Sequence, residues 1–203
     1  MSSSTFHQHR PHPWHGLTIG EKAPEVVNVY IEMTPFDSVK YEVDKDTGFL
    51  SVDRPQKFSS QLPALYGFIP RTYCGDRVGA LSESVDKGDH DPLDICVFSE
   101  RPIDRSDILL SARIIGGLHM IDGGEADDKI IAILDGDLAW GHARDISEIP
   151  QAFIERLRHY FLTYKMAPED KVAKVEVDIV YGAERAFEVL QASIEDYNEL
   201  IAE

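Results

Sequence analysis

Within the stretch "KGDHDPLDICVFSE", residues 87–100, three aspartates stand close together: Asp89, Asp91 and Asp94. They lead into an apolar run, Leu93, Ile95, Cys96, Val97 and Phe98, with the look of a buried strand. Carboxylates crowded at the mouth of a core repel one another, and a hard divalent cation offsets that repulsion, because Mg²⁺ and Ca²⁺ prefer oxygen-only ligand sets. Asp89 and Asp91 alternate onto one side of an extended chain. Asp94 projects from the strand's start, its direction set by the rigid Pro92. A second acidic group, "IDGGEADD" (121–128), lies between two expected strands, with Asp122 ending one and Asp127 preceding the next. If the strands are neighbours, five carboxylates surround a small volume with room for two or more divalent ions. Taken without the first cluster, "DGGEADD" reads as a polar hairpin turn. An EF-hand does not fit: Asp94 stands where its loop needs Gly, and residues 95–98 are a strand rather than a ligand loop.

Cations accompany the acids. Lys40 shares a strand face with Glu42, Arg54 ends a hairpin, Lys129 follows the second acidic group, and Tyr164-Lys165 close a helix. Each alone reads as a surface cation or a tyrosine at the core edge. Together, carboxylates for Mg²⁺ ringed by Lys and Arg form the arrangement that phosphoryl groups require. The chain has no GxxxxGK[ST], no GxGxxG after a strand and no GxSxG elbow, so P-loop, dinucleotide and α/β-hydrolase readings lack support.

The elements that must carry these residues are strands first and helices last. Residues 27–33, 39–44 and 49–54 are short, β-rich runs, and "KDTG" (45–48) makes 39–54 a hairpin. In "VKYEVD", Val39, Tyr41 and Val43 point one way and Lys40, Glu42 and Asp44 the other. Residues 62–80, rich in Pro, Gly and aromatics, read as a packed irregular segment. Further strands are expected at 91–99, 108–122 and 128–137, with Gly116-Gly117 marking a bulge or sharp bend. Strands joined by short turns, with no helices between them, imply an antiparallel sheet or barrel. Apolar residues at helical spacing place amphipathic helices at 147–165 and 183–201, where they can cover the sheet. The fold class is therefore α+β, mainly β.

Composition narrows the partners. The 203 residues carry 20 Lys plus Arg against 36 Asp plus Glu, a formal charge of 20 − 36 = −16. Nucleic-acid binding, which needs a basic footprint, is not expected. A membrane is not expected either, since no apolar run is long enough to span one. The N-terminus has neither an h-region nor a small-residue cleavage site, and Cys74 and Cys96 form no CxxC pair. Both features favour buried free thiols and a cytoplasmic location. Residues 1–25, with His7, His9, His12 and His15 among prolines, read as a loosely packed irregular arm rather than a metal site. Residues 26–203 read as a single catalytic domain.

"DHDPLD" resembles the D-x-D-P-x-D signature of the soluble (family I) inorganic pyrophosphatases. Its surroundings extend the likeness: "YIEM", "VKYEVDKDTGFLSVDR", "LYGFIP", "DGGEADDK" and "YK" follow in the family's order over roughly residues 26–175. The resemblance implies a five-stranded OB-like barrel, closed or partly closed, with flanking C-terminal helices. It implies Mg²⁺-dependent hydrolysis of pyrophosphate to two orthophosphates by a metal-activated water, with no covalent intermediate. Mn²⁺ or Zn²⁺ are possible substitutes. By position, it makes Asp89, Asp94, Asp122 and Asp127 metal ligands, with Asp94 bridging, and Asp91 the residue that orients or deprotonates the water. Glu32 and Glu42 become outer-shell or substrate-metal carboxylates. Lys40, Arg54, Tyr66, Lys129, Tyr164 and Lys165 become phosphate ligands. It further implies a homo-oligomer (hexamer, trimer or dimer). Leu62 stands where the family pattern has an aromatic residue, and 70–88 is longer than in compact members. Two other readings are a metal-dependent phosphatase acting on an organic phosphate and a non-catalytic acidic OB-type binding module.

Overall fold

The computed structural model describes residues 10–85 and 87–202, so His7 and His9 of the arm lie outside the described residues. The strands are β1 (Val26–Met33), β2 (Val39–Val43), β3 (Leu50–Pro55), β4 (Leu65–Phe68), β5 (Asp94–Phe98), β6 (Ile108–Asp122), β7 (Glu125–Ala126), β8 (Lys129–Leu134) and β9 (Val175–Gly182). The helices are α1 (Asp76–Gly79), α2 (Gln151–Thr163) and α3 (Ala183–Leu200). Neighbour pairing runs β1–β4–β5–β8–β6 and returns from β6 to β1, which closes a five-stranded ring of OB-like form. β7 and β9 extend β6 beyond the ring, and β2 and β3 form a separate hairpin.

Alternation along the ring strands builds two cores. Val29, Ile31, Leu65, Ile95, Val97, Ile114, Ile130 and Ala132, drawn from all five ring strands, form the barrel interior, with Val189 and Leu190 of α3 packed against them. The intervening residues Cys96, Phe98, Ile131 and Ile133 meet Leu157 and Phe161 of α2 on the outside. β5 and β8 are thus buried on both faces, which explains their unbroken apolar runs. Each fully buried Leu or Ile contributes ~1.5–3 kcal/mol, so these strands form a firm mount.

Three expectations need correction. The ring is not wholly antiparallel, because β5 and β8 run parallel with Asp94 opposite Lys129. The chain between them, which includes β6, makes the crossover that a parallel pair needs. The segment 62–80 contains strand β4, whose Gly67 is obligatory: a Cβ there would lie 1.9 Å from the Tyr30 carbonyl oxygen. Strand β9 was not expected, because its exposed face carries Ile179 and Val180 and blurs the period-two signal. The expected Gly116 irregularity is present as a register shift between Ile114 and Gly116.

The described part of the arm is packed rather than loose. Trp14 is buried and donates its indole N–H to the Thr72 carbonyl (2.8 Å), while Arg71 N–H donates to the Trp14 carbonyl (3.0 Å). Cys74 and Cys96 are both buried and unpaired. No described helix is long and apolar enough to cross a membrane.

Candidate active site

The parallel pairing of β5 and β8 makes the site. Because both strands run the same way, their acidic approach segments reach the sheet at the same end. A bridge between Gly88 and Ala126 carries the parallel pairing further back, so Asp89 comes alongside Asp127. Carboxylate oxygens of Asp89, Asp94 and Asp127 lie within 4.8 Å of one another. Lys129, only 3% exposed, extends its ammonium between Asp94 and Asp127. Tyr66, from neighbouring β4, donates its hydroxyl to Asp94 Oδ2.

The charges in this group are unevenly held. Burial raises Asp89, and the Asp127 charge adds to the rise. Burial also raises Asp94, although Lys129 opposes it. For Asp127 burial acts upward too, but the Lys129 ammonium outweighs it and holds the group below the usual carboxylate range. In Lys129 desolvation is overcome by Asp127 and Asp94, so its pKa rises and the ammonium stays charged. Three carboxylates share one ammonium, and the rise of Asp89 and Asp94 shows that keeping all three ionised calls for a further cation.

These residues form one end of a pocket of about 420 Å³. Lys40, Arg54, Tyr66, Asp89, Asp91, Asp94, Asp122, Asp127, Lys129, Tyr164 and Lys165 all line it, so eleven of the thirteen expected site residues share one cavity. Asp122 stands apart from the carboxylate trio and pairs with Lys165, while the Tyr164 hydroxyl is 3.5 Å from the same carboxylate. Asp91 is half exposed and pairs with Lys45. Lys40 bridges Glu42 (2.8 Å) and Asp53 (3.1 Å), and Arg54 also holds Asp53.

Glu32 and Glu42 line an adjoining smaller pocket instead, together with Lys40, Tyr66, Asp91 and Asp94. Glu32 is 5% exposed and accepts a hydrogen bond from Val43 N–H (2.7 Å). Burial pushes its carboxyl up to about 8, against the pull of that hydrogen bond. Leu62 is buried and lines the main pocket, so the wall where an aromatic residue was expected is aliphatic. His90 is exposed, and its ring meets the Tyr73 hydroxyl at 2.8 Å.

Sequence reasoning missed Lys45, Asp53 and Tyr160. Lys45 sits in the "KDTG" turn and reaches Asp91 only because that turn lies beside the loop before β5, a long-range fact with no local signal. Asp53 was legible in principle, since it precedes Arg54 on the strand opposite Lys40. Tyr160 lines the pocket one helical turn before Tyr164 and stacks on it, at 5.3 Å between ring centroids. The spacing of four was the available signal.

Comparison with known proteins places the arrangement. The inorganic pyrophosphatase family profile matches residues 29–198. The inorganic pyrophosphatase of Chlamydia muridarum is 51% identical over 195 residues, covering 92% of this chain and 93% of its own. Soluble inorganic pyrophosphatase 1 of Arabidopsis thaliana is 39% identical over 201 residues, covering 99% and 87%. The crystal structure of inorganic pyrophosphatase from Thermus thermophilus superposes with a TM-score of 0.78 at 33% identity, covering 92% of this chain and 99% of that one. An inorganic pyrophosphatase structure from Neisseria gonorrhoeae gives 0.75 at 31% identity, covering 90% and 96%.

Proposed function

The chain belongs to the inorganic pyrophosphatase family and is a metal-dependent inorganic diphosphatase, and from that premise we propose how its own residues divide the hydrolysis of pyrophosphate to two orthophosphates. The observation that carries this reading is the convergence of Asp89, Asp94 and Asp127 on Lys129 at one end of a cation-lined pocket. Their oxygen-only donor set fits a hard divalent cation, which would balance the charge they carry when ionised. Asp89, Asp94 and Asp127 would hold it, with Asp122 as a further metal carboxylate at the pocket wall and Glu32 and Glu42 as outer carboxylates. When bound there, Mg²⁺, or Mn²⁺ or Zn²⁺ in its place, would supply Lewis acidity toward a water and toward phosphoryl oxygens.

The remaining steps belong to the protein. Asp91, half exposed beside the trio, accepts the proton of the attacking water. Lys40, Arg54 and Lys165 are already held in place by carboxylates, so their donors are orientated before a phosphate arrives. A polyanion competes with those carboxylates for the same ammonium and guanidinium groups. Lys129, Tyr66 and Tyr164 donate to phosphoryl oxygens, and the cations stabilise charge on the leaving phosphate. Attack by water needs no covalent intermediate.

The wider setting follows the same reading. Residues 26–203 act as one catalytic domain, and the described part of the arm, residues 10–25, packs against it through Trp14. The buried unpaired thiols favour the cytoplasm. The exposed Ile179 and Val180 of β9 favour a homo-oligomer (hexamer, trimer or dimer).

The test is phosphate release from pyrophosphate and from a panel of organic phosphates, with Mg²⁺, Mn²⁺, Zn²⁺ and Ca²⁺ compared and EDTA as the control. Pyrophosphate is expected to be strongly preferred and EDTA to abolish turnover. Preference for an organic ester would overturn the reading.

A further inference from the structure

Behind the carboxylate trio lies a buried polar chain that the phosphate chemistry does not use. Asp128, 5% exposed, sits between Asp127 and Lys129. Side chains alternate along an extended segment. Asp127 and Lys129 therefore face the pocket while Asp128 turns away from it, and both pocket residues depend on how Asp128 is held. Its Oδ1 accepts from the Tyr181 hydroxyl (2.7 Å), and its Oδ2 accepts from His119 Nδ1–H (3.0 Å). On the far side of the ring, His119 Nε2 meets Ser82 Oγ at 2.9 Å.

These partners come from different parts of the fold. His119 is on β6, Tyr181 is on β9, and Ser82 lies in the long loop before β5. Tyr181 reaches Asp128 only because Gly117 leaves space: a Cβ at Gly117 would lie 2.5 Å from the phenolic oxygen. Backbone bonds secure the same segment on its other sides, from Ala126 N–H to the Lys87 carbonyl (2.8 Å) and from Asp127 N–H to the Met120 carbonyl (3.0 Å).

A buried carboxylate is costly unless its oxygens are satisfied, and an apolar residue would fill the same space at lower cost. What the carboxylate provides is a fixed position: both oxygens are held by groups on separate strands. We propose that Asp128, gripped by His119 and Tyr181, is a positioning residue that fixes the 127–129 backbone so that Asp127 and Lys129 meet a divalent cation in one geometry. Ser82 ties the 70–88 loop into the same grip. The inference rests on the reading of Asp127 as a metal-holding carboxylate.

The test is Mn²⁺ titration of the full-length, EDTA-stripped protein, with free Mn²⁺ followed by electron paramagnetic resonance. Four variants are compared with the parent: Asp128→Asn, Tyr181→Phe, Asp127→Asn and Tyr197→Phe. The last removes a hydroxyl that meets His15 in the aromatic cluster under the arm, so it serves as the control for a purely structural loss. Asp128→Asn is expected to weaken Mn²⁺ binding about tenfold, as loss of a supporting contact behind a metal ligand does. Tyr181→Phe should weaken it less, and Tyr197→Phe not at all, even if it melts earlier. Should Asp128→Asn fail to fold, Tyr181→Phe decides. Parent-like affinity in both network variants, alongside weakened binding in Asp127→Asn, overturns the positioning role alone. Parent-like affinity in Asp127→Asn overturns the metal-site reading on which it rests.

Discussion

Asp94 and Lys129 stand opposite each other on parallel strands, and the Lys129 ammonium is held between the carboxylates of Asp94 and Asp127. The same cation therefore has two tasks. It balances buried negative charge, and it faces the pocket where a phosphoryl group would lie. Lys129→Met keeps an unbranched stem of nearly the same length and removes the charge. Without metal, the variant should lose about 3–5 kcal/mol of stability, the cost of stranding buried charges by removing their partner. Saturating Mg²⁺ should recover much of that loss, because the cation takes over the balancing role, while turnover stays low. Urea denaturation with EDTA and with Mg²⁺ checks this. An equal stability loss under both conditions would count against the shared role.

Asp91 differs from its neighbours by its exposure and by its pairing with Lys45 outside the carboxylate trio. Asp91→Asn preserves shape and removes the proton acceptor. Turnover is expected to fall by about 10²–10⁴-fold, the range for a general base. Mn²⁺ affinity should stay near that of the parent. Full activity in this variant would falsify the water-activating role.

These contrasts show what a sequence can and cannot disclose. Asp89, Asp91 and Asp94 were legible because three acids lead straight into an apolar run. The arrival of Asp127 beside them depended on β5 and β8 being neighbours, and the parallel sense of that pair was not readable from short turns. Lys45 was invisible for the same kind of reason: its contact spans hairpin and barrel. The arm misled differently. Its prolines and histidines have no periodicity, so only the fold shows that Trp14 is a core residue.

Glu32 gives the pH dependence. Burial raises its folded-state pKa to about 8 from an ordinary 4.5, so between those values the folded protein holds a proton that the unfolded chain has released. Its contribution to stability is complete below the unfolded value and is lost as pH rises through the folded one, with a slope of up to ~1.4 kcal/mol per pH unit. Glu32→Gln stays neutral throughout and keeps an oxygen for Val43 N–H. In EDTA, denaturation curves from pH 5 to 8 should therefore slope downward less steeply for the variant than for the parent. Parallel slopes would mean that Glu32 is ionised in the folded protein.

Trp14 tests whether the arm belongs to the fold. It is buried among Tyr30, Val43, Phe68 and Tyr197, and its indole N–H is committed to the Thr72 carbonyl. Two residues earlier, the His12 ring meets the Lys45 carbonyl at 3.1 Å, at the turn of the hairpin that carries Lys40 and Arg54. Trp14→Ala should therefore destabilise the protein by about 3–5 kcal/mol, as large-to-small changes of buried aromatics do. Because the arm also braces the hairpin, KM for pyrophosphate should rise more than kcat falls. Substituting Leu138, which is 89% exposed, provides the comparison, and its effect should be small. A Trp14→Ala variant with parent-like stability would return the arm to the status of a loose appendage.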